Sequence, residues 1–581
     1  MSLDRPFTYA LPAELRAGIG SYVRFRFHGK LTRGWVLGPT EDVPARVLPV
    51  MRTVSPVRFF DASMLELARW VGERHVTPLA TVLGALSPPR VAAEERDARR
   101  AAPRPVAIAA PGVAGVLDGY RGGRALLDAL DGARAGGWLL RPGAQDEAAV
   151  VVEIVAATLR AGRRAIVVVP DAHPVAFTAS EVQRVFADRV GMFLGGTQRE
   201  RYRRWLEIAD DRYDVVVGSR SAVFAPVRQL GAIVVCRESH PALREERAPY
   251  HHAREVALAR ARIDAGAPIC VLSALCHSSE AAALDLPRVV PATRRWPKAE
   301  VVRPGAEGRA PRLVEALRGV HRAFVYAPLP GYGIAQVCRT CGSPAACAEC
   351  GGMLRAQAGE VRCVVCEAPG RCAVCGANSF GIRRGGAERV EEWVSRYAAV
   401  PVARPESPRL PHASGEVLVG GADSVRDLGP AALDLVAILD ADLAARRPGL
   451  AARERALAIW MEAVAWARPD GRAIVQSSTP GDPAVQALVR GDAERFHQRE
   501  RDRRAAAGFP VGAPVFRVVG NDRMPPELEA NRPITLLTTS LEGRTVCLLA
   551  LEPGTVPAFG ATMRRLAALG VVERVEAEPH I

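Results

Sequence analysis

Cys338-Arg-Thr-Cys341, Cys347-Ala-Glu-Cys350, Cys363-Val-Val-Cys366 and Cys372-Ala-Val-Cys375 are four Cys-x2-Cys pairs inside one short stretch. Their spacing, 2-5-2-12-2-5-2, reads the same from either end. Four thiolates complete one tetrahedral zinc, so eight imply two zinc ions per chain. The inner four, Cys347, Cys350, Cys363 and Cys366, have the spacing of a zinc ribbon. The outer four, Cys338, Cys341, Cys372 and Cys375, then close a second site at its base. Pairing the first four and the last four is the alternative. All-thiolate sites offer no open coordination position, so these metals serve folding and not catalysis. The other four cysteines, Cys236, Cys270, Cys276 and Cys547, lie in apolar or strand-like surroundings and read as buried small residues.

The flanks of this module read as α/β. The chain has 581 residues, 49% hydrophobic and 24% charged, which is ordinary globular composition and enough for several domains. Upstream, Ala165–Val169, Asp214–Val217, Ala232–Val235 and Ile269–Leu272 read as buried parallel strands, with helices over Ala148–Arg160 and Arg254–Asp264. A second set, Ala323–Tyr326, Glu416–Val419, Asp434–Leu439 and Ala473–Gln476, has the cysteines inserted after its first strand. Two α/β sheets of this size look like paired RecA-like lobes, and two Rossmann-type domains fit the periodicity equally well. Residues 1–87 read as a β-rich module ending in a helix, and a Pro- and charge-rich linker follows. The tail reads as α+β. The expected division is 1–87, a connecting segment 88–137, lobes at 138–300 and 301–490 (the second with the module 338–375), and 491–581.

Charge and lysine usage narrow the function. The net charge is +14, which favours a polyanionic partner through counterion release. The run Arg199–Trp205 reads equally as a solvated helix face or a contact surface. Of 77 basic residues only Lys30 and Lys298 are lysines, and neither stands in Gly-Lys-Ser/Thr, so the chain has no Walker A loop. No apolar run is long enough for a membrane span, and the start lacks a secretory signal pattern, so a cytoplasmic location is expected.

Together with the cysteines, several ordered segments resemble the PriA family of replication-restart helicases (primosomal protein N′). They are Pro6–Pro12, Val23–Phe27 with Gly29, Gly218–Phe224, His252–Glu255, Ile438–Asp442, Gln498–Glu500 and Ala507–Pro510. The resemblance implies a multidomain α/β fold. It has two RecA-like helicase lobes, an inserted two-zinc cysteine module, a β-rich N-terminal domain that binds a DNA 3′ end, and an α+β C-terminal domain. It implies forked and single-stranded DNA as partners, with the replicative helicase, its loader and single-stranded DNA-binding protein, and no membrane. Phe7, Thr8 and Gly29 fall in the 3′-end pocket, where Thr8 replaces an Asp. A packed strand with an exposed turn is the plainer reading of the same residues.

The departures concentrate in the ATPase machinery. Gln145 and Asp146 stand where the phosphate-binding Lys and the Mg²⁺-ligating hydroxyl belong. Cys236 and Arg237 replace the first two residues of Asp-Glu-Glu-His, and Leu272–Cys276 replaces Gly-Ser-Ala-Thr-Pro. Glu462–Pro469 replaces the arginine-finger motif Gln-x-x-Gly-Arg-x-Gly-Arg. Both lobes are therefore expected to be degenerate, with ATP and Mg²⁺ not productively bound. They resemble an ATPase-silent branch of the family from high-GC Gram-positive bacteria. The resemblance then implies a DNA-binding scaffold that recognises abandoned or stalled forks, promotes primosome assembly and helps reload the replicative helicase. Two other readings stay open: an active ATP-dependent 3′→5′ helicase, and a zinc-ribbon RNA-binding or transcription factor. His251-His252 reads as a capped surface helix start. Asp440 and Asp442 end a strand and are not assigned to catalysis.

Overall fold

The computed structural model describes residues 5–98, 112–113, 115–132, 134–170, 173–293, 295–305, 309–328, 334–341, 343, 345–349, 354–357, 360–363, 366–384, 386–445, 451–506, 508–509, 512–529, 533–541 and 543–577. Two parallel sheets dominate it. In the first the strand order is Tyr120–Arg121, Arg288–Pro291, Gly136–Leu140, Ile269–Ser273, Leu230–Val235, Arg164–Val168, Val215–Gly218 and Val190–Phe193, parallel except for the first strand. Its central strands are apolar at nearly every position because helices cover both faces. Val150, Ile154 and Val155 of the helix Glu147–Arg160 fill one face, and Val256 and Ala257 of the helix Ala253–Ile263 the other.

The second sheet runs Lys298–Val302, Ala467–Gln476, Leu433–Ile438, Arg322–Tyr326, Glu416–Gly420 and Val402–Ala403, all parallel. These are the two RecA-like lobes. The cysteine module leaves the second lobe after Arg322–Tyr326 and re-enters at the helix Ala387–Ser395. It consists of two small antiparallel pairs, Ile334–Cys338 with Phe380–Arg384 and Leu354–Gln357 with Glu360–Cys363.

The terminal modules flank the first lobe. Residues Ser21–Phe27, Lys30–Trp35 and Arg52–Arg58 form a three-stranded antiparallel sheet followed by the helix Ala62–Arg74. That helix shares a core with the first lobe, and Phe59 stacks on Trp205 at 5.5 Å. The tail is a four-stranded antiparallel sheet with the helix Val556–Ala568 against it.

Three expectations about organisation change. Residues 117–131, expected in a connecting segment, supply a strand and the helix Gly123–Asp131 to the first lobe, where Leu126 and Leu130 are buried. The strand Lys298–Val302 pairs wholly in the second sheet, across the expected 300/301 boundary. The helix Glu494–Ala506, expected in the tail, packs Phe496 into the core of the second lobe. In the first and third cases burial of a few apolar side chains decides membership, and in the second it is strand pairing; a linear charge pattern reveals neither.

Candidate functional site: a clasped lobe interface, a cysteine module and a basic strand face

The strand Gly136–Leu140, the loop 141–146 and the helix Glu147–Arg160 have the strand–loop–helix order of a phosphate loop. The loop is occupied by its own protein groups. Gly143 N donates to the Tyr120 hydroxyl at 2.7 Å, and that hydroxyl donates to Asp146 Oδ2 at 3.1 Å. Burial raises the Tyr120 hydroxyl's pKa and keeps the proton in place. A carboxylate thus sits where a phosphate would need attraction.

Gln145 adopts a left-handed backbone (φ 71°), and its side chain crosses to the other lobe. Its Nε2 donates to Ala465 O at 2.9 Å and lies 3.4 Å from Ala467 O. Arg237 forms an ion pair with Glu462 and donates to Val425 O at 3.2 Å. Asp427 of the second lobe accepts from Thr178 N at 2.8 Å through its carboxylate and from Phe177 N at 2.9 Å through its carbonyl. A carboxylate at that helix N-terminus satisfies otherwise orphaned amides. The remaining cavity is about 70 Å³, below the 300–1,000 Å³ of ordinary small-molecule sites. Gln145 and Arg237 of the first lobe thus hold Ala465 O and Glu462 of the second.

Glu147 lies half-buried in this seam and accepts from Ser273 Oγ at 2.6 Å. Burial and the nearby Asp427 carboxylate push its pKa up to about 7, against the pull of Ser273 and Arg237. Glu238 is tied within the first lobe to Arg254 (2.5 Å) and Ser278 Oγ (2.7 Å). Burial would raise its pKa, but Arg254 and His277 hold it well below the usual carboxylate range. Cys236, where a metal-linked Asp would stand, is a buried thiol.

The module brings the sulfurs of Cys338, Cys341, Cys372 and Cys375 within 4.8 Å of one another, and likewise those of Cys347, Cys363 and Cys366. Cys350 lies outside the described residues. Cys338 Sγ is 3.5 Å from Cys375 Sγ, Cys341 from Cys372 is 3.7 Å, and Cys347 from Cys366 is 3.7 Å. Sulfurs at ~2.3 Å from a tetrahedral zinc stand about 3.8 Å apart, so both clusters fit that ion. The clustering joins the first pair with the last, as the nested spacing does.

In the N-terminal sheet His28 (φ 46°) and Gly29 (φ 77°) form the two-residue turn between Phe27 and Lys30. Positive φ at both positions is the geometry that twists a tight hairpin correctly, and an added Cβ at Gly29 would meet nothing within 4 Å. Phe7 is 40% exposed and packs edge-on against Phe27 at 4.8 Å. Thr8 Oγ1 donates to Asp42 O at 3.2 Å, which leaves its lone pairs for an incoming donor. Phe7 and Gly29 therefore flank the same strand end.

Register exposes a feature that linear reading missed. Arg24 stands directly opposite Arg33 on one side and Arg52 on the other. Three guanidinium groups share one face, and among the described residues none of them has an ion-pair partner. Like charges directly opposite destabilise a sheet unless a polyanion neutralises them. The signal was present as alternating basic residues, but the cross-strand partners were not.

Other singled-out residues are structural. Arg199 and Arg203 form ion pairs with Glu94, while Tyr202 and Trp205 are buried. His252 caps the helix Ala253–Ile263, its Nδ1 accepting from Arg254 N at 3.1 Å. His251 is 3% exposed, so the expected surface position is wrong: the ring packs edge-on against Phe224. Asp440 accepts from Arg309 and Gln476, and Asp442 from Ser477, Ser478 and Thr479.

Among the described residues no helix is long and apolar enough to cross a membrane. Residues 1–88 match the family model of the PriA 3′ DNA-binding domain. The probable replication restart protein PriA of Mycobacterium leprae is 32% identical over 588 residues, covering 92% of this chain and 90% of that protein. Its counterpart in Mycobacterium tuberculosis strain H37Rv is 32% identical over 566 residues, with 89% and 85% covered. The replication restart protein PriA of Treponema pallidum is 27% identical over 573 residues, again with 89% and 85% covered. Identity of 32% over about nine-tenths of both chains shows that this chain belongs to the PriA family of replication restart proteins.

Proposed function

We propose that this chain acts in replication restart as a non-catalytic scaffold that binds abandoned or stalled forks and promotes primosome assembly and reloading of the replicative helicase. The helicase, its loader and single-stranded DNA-binding protein are the protein partners in this reading. The observation that carries it is the clasp between the lobes. Gln145 reaches the backbone carbonyl of Ala465 and Arg237 pairs with Glu462, so groups at three of the ATPase motifs take one another as partners. Phosphoryl transfer depends on a cation at the β- and γ-phosphates, a held Mg²⁺ and arginine fingers, and none of the residues that supply them stands in those places.

DNA contacts begin in the N-terminal module. Phe7, Thr8 and Gly29 bracket a place for a strand end, and the row Arg33–Arg24–Arg52 offers charge to the phosphates beside it. Two zinc ions, one on Cys338, Cys341, Cys372 and Cys375 and one on Cys347, Cys350, Cys363 and Cys366, hold the inserted module in shape. Closed thiolate sites suit a module that presents a surface.

The test is ATP hydrolysis and strand separation on a fork with a free 3′ leading end, measured beside binding to the same fork. Binding with no fork-stimulated turnover is expected. Loss of one arginine finger alone costs about 10³–10⁵ in rate, so the combined losses should place turnover below background. Gln145→Lys with Asp146→Thr should restore nothing. Fork-dependent hydrolysis that disappears on Glu238→Gln would replace the scaffold reading with a working motor.

A further inference from the structure

We propose that a groove on the second lobe, between the helices Pro483–Arg490 and Glu494–Ala506, is a further DNA contact that takes consecutive backbone phosphates. The groove has a volume of about 280 Å³ and three exposed arginines around it, Arg490, Arg495 and Arg499. Buried Phe496 forms its floor.

Charge is what singles it out. Along the helix Glu494–Ala506 the other basic side chains are engaged: Arg501 with Gln498, Arg503 with Glu500, and Arg504 with Glu454 and Glu280. Among the described residues Arg495 and Arg499 have no hydrogen-bond or ion-pair partner, although they stand one turn apart on one helix. Like charges at i and i+4 repel, and Arg490 from the facing helix adds a third. The one carboxylate lining the groove, Asp492, is taken by Arg141 of the first lobe at 3.6 Å. Among the described residues no carboxylate neutralises the three, and a polyanion would.

The groove is also rigid. Gly491 ends the first helix with φ 56°, and Trp296 lies where a Cβ at that position would go. Trp296 Nε1 donates to Leu488 O at 2.9 Å, and Asp492 N donates to Ala487 O at 3.0 Å. The connection between the two helices is therefore fixed, and so is the spacing of the backbone positions that carry the arginines. Guanidinium forks suit phosphodiester oxygens, which accept paired hydrogen bonds.

This inference rests on the reading of the chain as a fork-binding protein, and one experiment separates the two. Binding of the full chain to a fork is measured against salt, for the wild type, for Arg490→Ala/Arg495→Ala/Arg499→Ala and for the corresponding triple Lys variant. Each lost phosphate contact lowers the slope of log K against log salt by about 1, so the alanine variant should lose about 2–3 while the lysine variant keeps the wild-type slope. Preference for a free 3′ end should be unchanged in both. Repeating the titration on a duplex and on a single strand of equal phosphate number shows which arm lies in the groove. Loss on either supports the site. An unchanged slope on both, or an equal loss in the lysine variant, overturns it. A wild-type chain that binds no fork defeats the proposed function instead.

Discussion

The cysteine module and the lobe interface have met opposite fates in one chain. The module carries eight thiols in four Cys-x2-Cys pairs, a residue type and spacing that tetrahedral metal ligation asks for. The interface departs from the family's motif residues at Gln145, Asp146, Cys236 and Arg237, yet it is closely packed. Lobe contact requires only that buried polar groups find partners, and many residue pairs can provide them. Arg237 with Glu462 and Gln145 with Ala465 O are such pairs. A ligand site is specified by chemistry, whereas a lobe contact is specified by complementarity.

The sharpest way to break this contrast is to remove the metal. Structural zinc contributes about 10–16 kcal/mol to the folding of small modules, so a chelator should unfold residues 334–384 while the lobes stay protected. Hydrogen exchange reads this out. Metal analysis should give two zinc ions per chain, and Cys347→Ser should lower that to one with Cys338, Cys341, Cys372 and Cys375 still loaded. A single ion in the wild-type protein would collapse the two-site assignment.

The clasp comes next in size. Arg237→Ala strands the Glu462 carboxylate in a half-buried seam, a change that costs about 3–5 kcal/mol when the pair is buried. Replacing both, Arg237→Met with Glu462→Leu, should recover most of that loss in urea unfolding, since neither charge is then left alone. A cost below about 1 kcal/mol for the single change would show that the seam does not depend on this pair.

The smallest effect sharpens the comparison through pH. The Glu147 carboxyl, among Ser273, Arg237, Asp427 and Glu462, has its pKa raised to about 7 by burial first. The folded state therefore holds that proton more tightly than the unfolded chain does. Stability is fullest below about pH 4.5 for this group and is lost as pH rises through 7, by up to about 3 kcal/mol. Glu147→Gln should flatten the slope and raise stability at pH 8. An identical pH profile for variant and wild type would remove Glu147 from the account.

Much of this was legible along the chain. Val167, Val217, Val234 and Val271 announce buried parallel strands because both faces of such a sheet are covered and alternation vanishes. The module was legible because metal ligation ties residue type to spacing. The edges of the lobes were not legible: residues 117–131 and the helix Glu494–Ala506 join cores through Leu126, Leu130 and Phe496, whose partners lie far away in sequence.

The sequence by itself determined that no phosphate-binding lysine exists, that eight thiols can meet in two sets, and that the lobes are parallel α/β sheets. These follow from composition, spacing and periodicity, which are local. Only the tertiary structure decided which partners the departing motif residues take. Gln145 and Arg237 read in sequence as losses, and their partners Ala465 and Glu462 sit more than two hundred residues away. The same holds for the arginines: Arg24 acquires meaning from Arg33 and Arg52, and Arg495 from Arg490 and Arg499. Electrostatic energy depends on distance in space, and a folded chain sets that distance independently of separation along it.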